Sequence, residues 1–188
     1  CDHGYVILEA FKKDYIKKAI ASDINIKPLK SAENNLKEYP VEFILGDGFK
    51  KVTSSFDGVV IAGMGSNLIT NILLDAPSDN NIKYILQGNN KYENLRLFLN
   101  ENNYQIIDEE LIYDKHYYII ITAIRGKQTL STEDIYLGPL LKNKLSSLDY
   151  YKHRYNHLKS ISNENKGQND RIENNISLLS KAIENLEK

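Results

Sequence analysis

Cysteine is nearly absent from this chain, with Cys1 alone among 188 residues. One thiol excludes a disulfide framework and a zinc site built from several cysteines. Long apolar runs are missing as well. No stretch approaches the ~20 residues that a helix needs to cross a bilayer, and no signal-peptide pattern opens the chain. An excess of charge of either sign is also lacking, since 24 basic and 25 acidic side chains leave a net charge of −1. The total therefore points to neither a nucleic acid nor a membrane, although an average can hide a local patch. The C-terminal part is slightly the more basic: residues 127–188 carry 10 Lys and Arg against 8 Asp and Glu, whereas 1–126 carry 14 against 17. No cluster of His, Asp and Glu has metal-ligand spacing, so no metal site is expected, and no Ser-His or Cys-His pair suggests a nucleophile. His3 and His116 stand isolated. These absences lead to the expectation of a soluble, cytoplasmic protein; a monomer is expected as well.

What is present, at 41% hydrophobic and 26% charged residues, suffices for one good core and an appendage. Val6, Ile7, Ala10 and Phe11 lie at helical spacing within Tyr5–Tyr15, with Lys12, Lys13, Lys17 and Lys18 towards the end where cations suit the helix dipole. A short apolar run, Ala19 to Ser22, stops at Asp23, and Pro28 suits the first turn of the helix that follows. Val41–Leu45 reads as a strand closing on Gly46-Asp47-Gly48. Asp57–Ala62 reads as another, continuously apolar as a strand covered on both faces is, and it closes on Gly63-Met64-Gly65. Leu68, Ile69, Ile72 and Leu73 then predict a helix, Tyr84–Gln87 a strand, and Leu95–Leu99 a further helix. The alternation ends in two successive strands, Tyr104–Ile112 and Tyr117–Ile124, joined by Tyr113-Asp114-Lys115-His116.

Repeated strand-helix units predict an α/β fold, a mostly parallel sheet with helices on both faces, to which the closing hairpin adds one antiparallel strand. Beyond Gly126 the β signal disappears. Ser131 with Asp134 three positions on resembles a capping box. Leu145, Leu148, Tyr151, Tyr155, Leu158 and Ile161 form one helical stripe, and Ile172, Ile176, Leu179, Ile183 and Leu186 another, with a turn expected over Lys166–Asp170. Two helices folded back in a coiled-coil-like pair satisfy both stripes. A domain boundary is thus expected near 126, between a 1–126 domain and a 127–188 helical domain.

In an open parallel sheet, ligands bind at the carboxyl ends of the strands. Asp23 ends one strand, 21 residues after Asp2, where a carboxylate can accept both hydroxyls of a ribose. Asp47 follows the next strand between two glycines that allow a planar base to approach the backbone, and its carboxylate can accept from an exocyclic amine. Gly63 and Gly65 leave a third strand end without side-chain bulk, so the carbonyls of Ala62 and Gly63 can face a ligand. Each feature also has a plainer reading. An aspartate at a strand end often caps a helix or turn, and Gly-Met-Gly alone can be a tight turn. Most of the thirteen tyrosines pack strands and helices; Tyr5, in the turn on the cofactor side, is the exception.

Taken in order, Asp2-His3-Gly4-Tyr5, Ala21-Ser22-Asp23-Ile24-Asn25, Leu45-Gly46-Asp47-Gly48, Ile61-Ala62-Gly63-Met64-Gly65, Ile85-Leu86-Gln87 and Leu137-Gly138-Pro139-Leu140-Leu141 resemble the bacterial tRNA (adenine-22-N1)-methyltransferase family. The resemblance spans the chain and implies S-adenosyl-L-methionine as cofactor, tRNA as substrate, and a Rossmann-like domain followed by a helical tRNA-binding one. It implies that Asp2 and Gly4 border the methionine moiety, that Asp23 takes the ribose, and that Asp47 and Gly48 hold the adenine. Ile24 and Gly46 are grouped with these cofactor-binding residues. Ala62, Gly63, Met64 and Gly65 would line the space between the sulfonium and the target base. Two departures stand out. The family's first strand and glycine-rich turn are expected ahead of Cys1, and Gly88 stands where the family has proline.

Adenine N1 carries a free lone pair at neutral pH, so the reaction requires alignment more than a base. Met64 and Tyr5 are expected to shape the target pocket, and Gln87 or Asn89 to hydrogen-bond the base edge. A base paired in folded RNA must be extruded to react. Lys142, Lys144, Lys152, Arg154, Lys159 and two nearby histidines offer a grip on the RNA, or else an ordinary solvated surface. Two other readings compete: a different Rossmann-fold nucleotide-cofactor enzyme, such as an NAD-dependent oxidoreductase, although no Gly-x-Gly-x-x-Gly is visible, and a non-catalytic RNA-binding protein of the same fold.

Overall fold

The computed structural model describes residues 1–164 and 169–188. They fall into two units, one of residues 1–55 and 71–77, the other of 56–70 and 78–188.

In the first unit, β1 (Ala19–Asp23) and β2 (Val41–Leu45) pair in parallel with Asp23 opposite Leu45, so both carboxyl ends lie on one edge. Helices α1 (Tyr5–Lys12) and α2 (Ile26–Asn35) complete it, around buried Ala21, Leu29, Ala32 and Leu36. Gly4 caps α1 in the left-handed region, at φ 68°, and a Cβ there would lie 2.6 Å from Leu36 Cδ1. Conformation and packing both require glycine at this position. α1 stops three residues short of Tyr15, because Asp14 turns into the left-handed region at φ 55° and leaves Tyr15 exposed.

The second unit holds a four-stranded sheet ordered β3-β4-β6-β5, from β3 (Gly58–Met64), β4 (Lys83–Gly88), β5 (Tyr104–Asp114) and β6 (His116–Arg125). β3 and β4 are parallel, and β6 alone runs against its neighbours, as the hairpin predicts. α3 (Ser66–Leu74), which runs across the division, and α4 (Tyr92–Glu101) follow their strands at the places the apolar period predicts. The core of this sheet gathers Tyr84, Leu86, Leu95, Leu99, Tyr104, Ile119 and Ile121, with Tyr84 edge-on to Tyr104 at 5.2 Å.

Two local expectations are corrected here. The hairpin is tighter than a four-residue connection: Asp114 pairs with His116, and Lys115 alone turns the chain at φ 60°. β3 is not covered on both faces. It is an edge strand of this sheet, and Val60 is 51% exposed although its neighbour Ile61 is buried.

Beyond β6, Ser131 and Asp134 form the expected capping box at the start of α5 (Thr132–Leu137). Such a cap stabilises a helix by about 1 kcal/mol. Burial pushes the Asp134 carboxyl up, but hydrogen bonds from Ser131 and Lys142 outweigh it and hold the group below its ordinary value. α6 (Leu148–Glu164) and α7 (Asp170–Leu186) pack antiparallel, since Lys152 meets Glu187 at 2.6 Å while Ser162 meets Glu173 at the opposite ends. Tyr151, Ile176, Leu179 and Ala182 are buried. Leu145 drops out of the predicted stripe, because it sits in a 3-10 turn before α6 and is 68% exposed. Of the turn expected over 166–170, Lys166, Gly167 and Gln168 lie outside the described residues, while Asn169 caps α7 by accepting from the Ile172 N–H at 3.3 Å.

The corner Leu137–Leu141 ties these helices to the sheet of the same unit. Arg96 on α4 and Glu109 on β5 are almost wholly buried and pair at 2.7 Å. The second Glu109 oxygen accepts the N–H groups of Leu140 and Leu141, both at 3.0 Å, while Arg96 donates to the Ile135 carbonyl at 3.1 Å. Gly138, at φ 105°, passes so close that a Cβ would lie 2.7 Å from both charged groups.

Candidate active site

In the first unit, the parallel register places two carboxylates beside neighbouring strand ends. Asp23 closes β1, and Asp47 follows β2 after one residue. The Gly46 N–H donates to the Asp23 carbonyl at 2.9 Å, and the Ser22 hydroxyl donates to the carbonyls of Gly46 and Gly48 at 3.4 and 3.3 Å. Ser22 thus holds the Asp47 loop against β1. The sequence motif contains Ser22, but nothing in its spacing marks this role.

The Asp23 carboxylate is half-buried and does two things. One oxygen accepts the Asn25 N–H at 2.8 Å, the turn-capping role that competes with a ligand role in sequence. The other accepts from the Cys1 nitrogen. Each oxygen keeps a second lone pair able to take a further donor. Asp47 is exposed and paired with Lys50 at 2.6 Å. Gly48 occupies the left-handed region, at φ 55°, and a Cβ there would meet Ile72 at 3.0 Å. Near the start of the chain, Asp2 contacts His3 at 2.7 Å, while Tyr5 stacks on His3 at 5.5 Å and is 59% exposed. Ile24 is likewise exposed.

In the second unit, β3 does not end before Gly63. The strand continues through Met64 with an irregularity between Ala62 and Met64, where Gly63 turns to φ 75°. Among the described residues, chain neighbours aside, no atom lies within 4 Å of the position a Gly63 Cβ would take, and beside Gly65 the nearest is Asn90 Oδ1 at 3.9 Å. The backbone is therefore open on the side where a ligand can approach. Gln87 and Asn89 brace this turn from β4. Gln87 Oε1 accepts the Gly63 N–H at 2.8 Å, Asn89 Nδ2 donates to the Gly63 carbonyl at 3.0 Å, and the Asn89 N–H donates to the Met64 carbonyl at 2.8 Å. The Gly63 carbonyl, expected to face a ligand, already has one donor.

Gly88 is buried, with Ser66 Oγ 2.6 Å from where a Cβ would stand, and Ser66 donates to the Asn90 carbonyl. Side-chain hydrogen bonds from Gln87, Asn89 and Ser66 hold this loop. Ser66 was not legible as a participant, because its partner lies 24 residues away.

Four of the five cations expected to grip RNA already have acidic partners. Lys142 meets Glu133 and Asp134 at 2.8 and 2.9 Å, Lys144 meets Asp108 at 2.6 Å, Lys152 meets Glu187, and Arg154 meets Glu93 at 3.0 Å. Lys159 lies over the Tyr155 ring at 5.7 Å. Among the described residues, no group of three or more His, Cys, Asp or Glu is placed to hold a metal ion, and no helix is long and apolar enough to cross a membrane.

The first unit thus has acids at neighbouring parallel strand ends, and the second has an open glycine turn and a sheet with one antiparallel strand, features of a Rossmann-like methyltransferase fold. The chain matches the structure of a candidate tRNA (m1A22) methyltransferase from Streptococcus pneumoniae with a TM-score of 0.89 at 26% identity, over 97% of this chain and 89% of that one. It matches Mycoplasma capricolum TrmK, solved with the cofactor product S-adenosyl-homocysteine, with a TM-score of 0.83 at 30% identity, over 98% and 88%. A candidate tRNA methyltransferase of Mycoplasma pneumoniae is 33% identical over 152 residues, 76% of this chain and 70% of that protein. The family model TrmK, tRNA (adenine(22)-N(1))-methyltransferase, matches residues 1–188. The chain belongs to this family and is a tRNA adenine-N1 methyltransferase, which sets aside the oxidoreductase and non-catalytic readings.

Proposed function

We propose that the chain methylates N1 of adenine 22 in tRNA with S-adenosyl-L-methionine, and that its strand-end residues divide the work within each unit. The observation that carries the assignment is the register of β1 and β2, which brings Asp23 and Asp47 to neighbouring strand ends. The residues present fit the cofactor: a carboxylate at a strand end suits vicinal ribose hydroxyls, an acid between glycines suits an adenine amine, and glycine backbone with open space suits a close approach.

Asp23 accepts from the ribose, with Ile24 beside it. Asp47, Gly46 and Gly48 hold the adenine, and Asp2 and Gly4 border the methionine part. In the other unit, Ala62, Gly63, Met64 and Gly65 present the face for methyl transfer. Bound S-adenosyl-L-methionine supplies a methyl group activated by its sulfonium. No residue has to deprotonate adenine N1, so these groups act by orientation and by excluding water. Orientation of this kind is worth ~7–11 kcal/mol of a barrier. Met64 shapes the target pocket within its own unit. Gln87 and Asn89 hold the turn at Gly63 and offer their remaining amide capacity to the base edge.

Residues 1–126 form the catalytic part and 127–188 the tRNA-binding part of a monomeric, cytoplasmic enzyme. The experiment is a calorimetric titration of the chain with S-adenosyl-L-methionine and, separately, with NAD. Saturable binding of the first alone is the expected result. Binding of NAD, or of neither, would overturn the assignment.

A further inference from the structure

The tip of the β5–β6 hairpin carries an aromatic surface with no part in the roles above. Tyr113 and Tyr117 are register partners, with ring centroids 4.8 Å apart, and Tyr113 is 67% exposed. Behind them, Tyr117 packs on Tyr150 at 5.3 Å and lies 5.7 Å from the exposed His153 of α6. Lys115 and His116 stand at the same tip, next in sequence to one acid, Asp114.

The position of this surface gives it meaning. Gln87, near the carboxyl end of β4, pairs with Ile120, and β6 runs antiparallel. Tyr117 therefore lies three strand residues, about 10 Å, beyond Gln87 on the edge where Gln87 and Asn89 brace the Gly63 turn. A hydrogen bond from the Ile119 N–H to the Tyr92 hydroxyl at 3.0 Å anchors the hairpin to α4. An exposed ring supported from behind and flanked by a lysine and histidines has the composition that stacks unpaired bases, which every nucleotide can satisfy through its π face.

We propose that Tyr113 and Tyr117, with His153, stack an unpaired nucleotide of the tRNA neighbouring the target adenine, holding the strand while that adenine is out of the helix. The inference rests on the tRNA methyltransferase reading and adds the substrate-binding residues. Removing one stacking ring costs about tenfold in affinity.

The test is steady-state methyl transfer and direct binding with an unmodified tRNA transcript, using the full chain. Tyr113→Ala should raise the tRNA KM and Kd about tenfold, with kcat at saturating tRNA and the Kd for S-adenosyl-L-methionine unchanged. Tyr113→Phe should restore tRNA binding, since stacking does not need the hydroxyl. Because Tyr113 is mostly exposed, an unchanged unfolding midpoint is expected for both variants. Wild-type tRNA affinity in both Tyr113→Ala and Tyr117→Ala would overturn the proposal, as would a Phe variant as impaired as the Ala one. Failure of the wild-type chain to methylate tRNA would instead sink the parent reading.

Discussion

Glu109→Ala is expected to lower the free energy of unfolding by about 3–5 kcal/mol, the cost of removing one partner of a buried ion pair. The reason lies in what remains. The Arg96 guanidinium would stay almost fully buried without its counter-charge, and the N–H groups of Leu140 and Leu141 would lose their acceptor. Arg96 Nη2 already lacks a hydrogen-bond partner among the described residues, so the site has no reserve. Against a typical stability of roughly 5–15 kcal/mol, such a loss leaves a marginal protein. Urea unfolding of the wild type and the variant measures it. Joint replacement by Arg96→Met and Glu109→Leu should cost less than either single change, because no isolated charge is buried. A single-variant loss below about 1 kcal/mol would contradict this account of how the C-terminal helices are fixed to their sheet.

Asp23→Ala is expected to weaken S-adenosyl-L-methionine binding by roughly two to four orders of magnitude. Two hydrogen bonds to an ionised acceptor are worth roughly 1.5–3 kcal/mol each, and ~1.4 kcal/mol is a factor of ten. Asp23 also accepts the Asn25 N–H, so part of the effect of an alanine could come from a loosened turn before α2. Asp23→Asn separates the two roles. It keeps an oxygen for Asn25 but loses the charge and the second acceptor, so it should bind the cofactor far more weakly while the turn before α2 stays capped. Binding of tRNA to either variant should persist. Cofactor affinity within about threefold of wild type in Asp23→Ala, a change of only ~0.7 kcal/mol, would remove the ribose assignment.

The sequence made the strand framework legible where apolar runs end on a marked residue. β2 matches Val41–Leu45, and β1 ends on Asp23 as expected. The Ser131 capping box was readable because its partners lie three residues apart. The hairpin was drawn too wide, because Asp114 and Lys115 resemble loop residues and only the left-handed Lys115 shows the turn to be tight. The Arg96–Glu109 pair was invisible, since no local pattern connects a helix residue to a strand residue that becomes its partner only in the packed state. Counting cations in 127–188 suggested an RNA grip, but a count does not register that Lys142, Lys144, Lys152 and Arg154 each meet an acid. At the candidate site, the glycines and acids were readable. Their scaffolding by Ser22, Gln87, Asn89 and Ser66 depends on contacts 24 to 26 residues apart and was not.

The most direct measurement is mass-spectrometric mapping of an unmodified bacterial tRNA after incubation with the chain and S-adenosyl-L-methionine. One methyl group on N1 of adenine 22 is the predicted product. A tRNA that comes back unmethylated, or methylated at another atom or nucleotide, would contradict it.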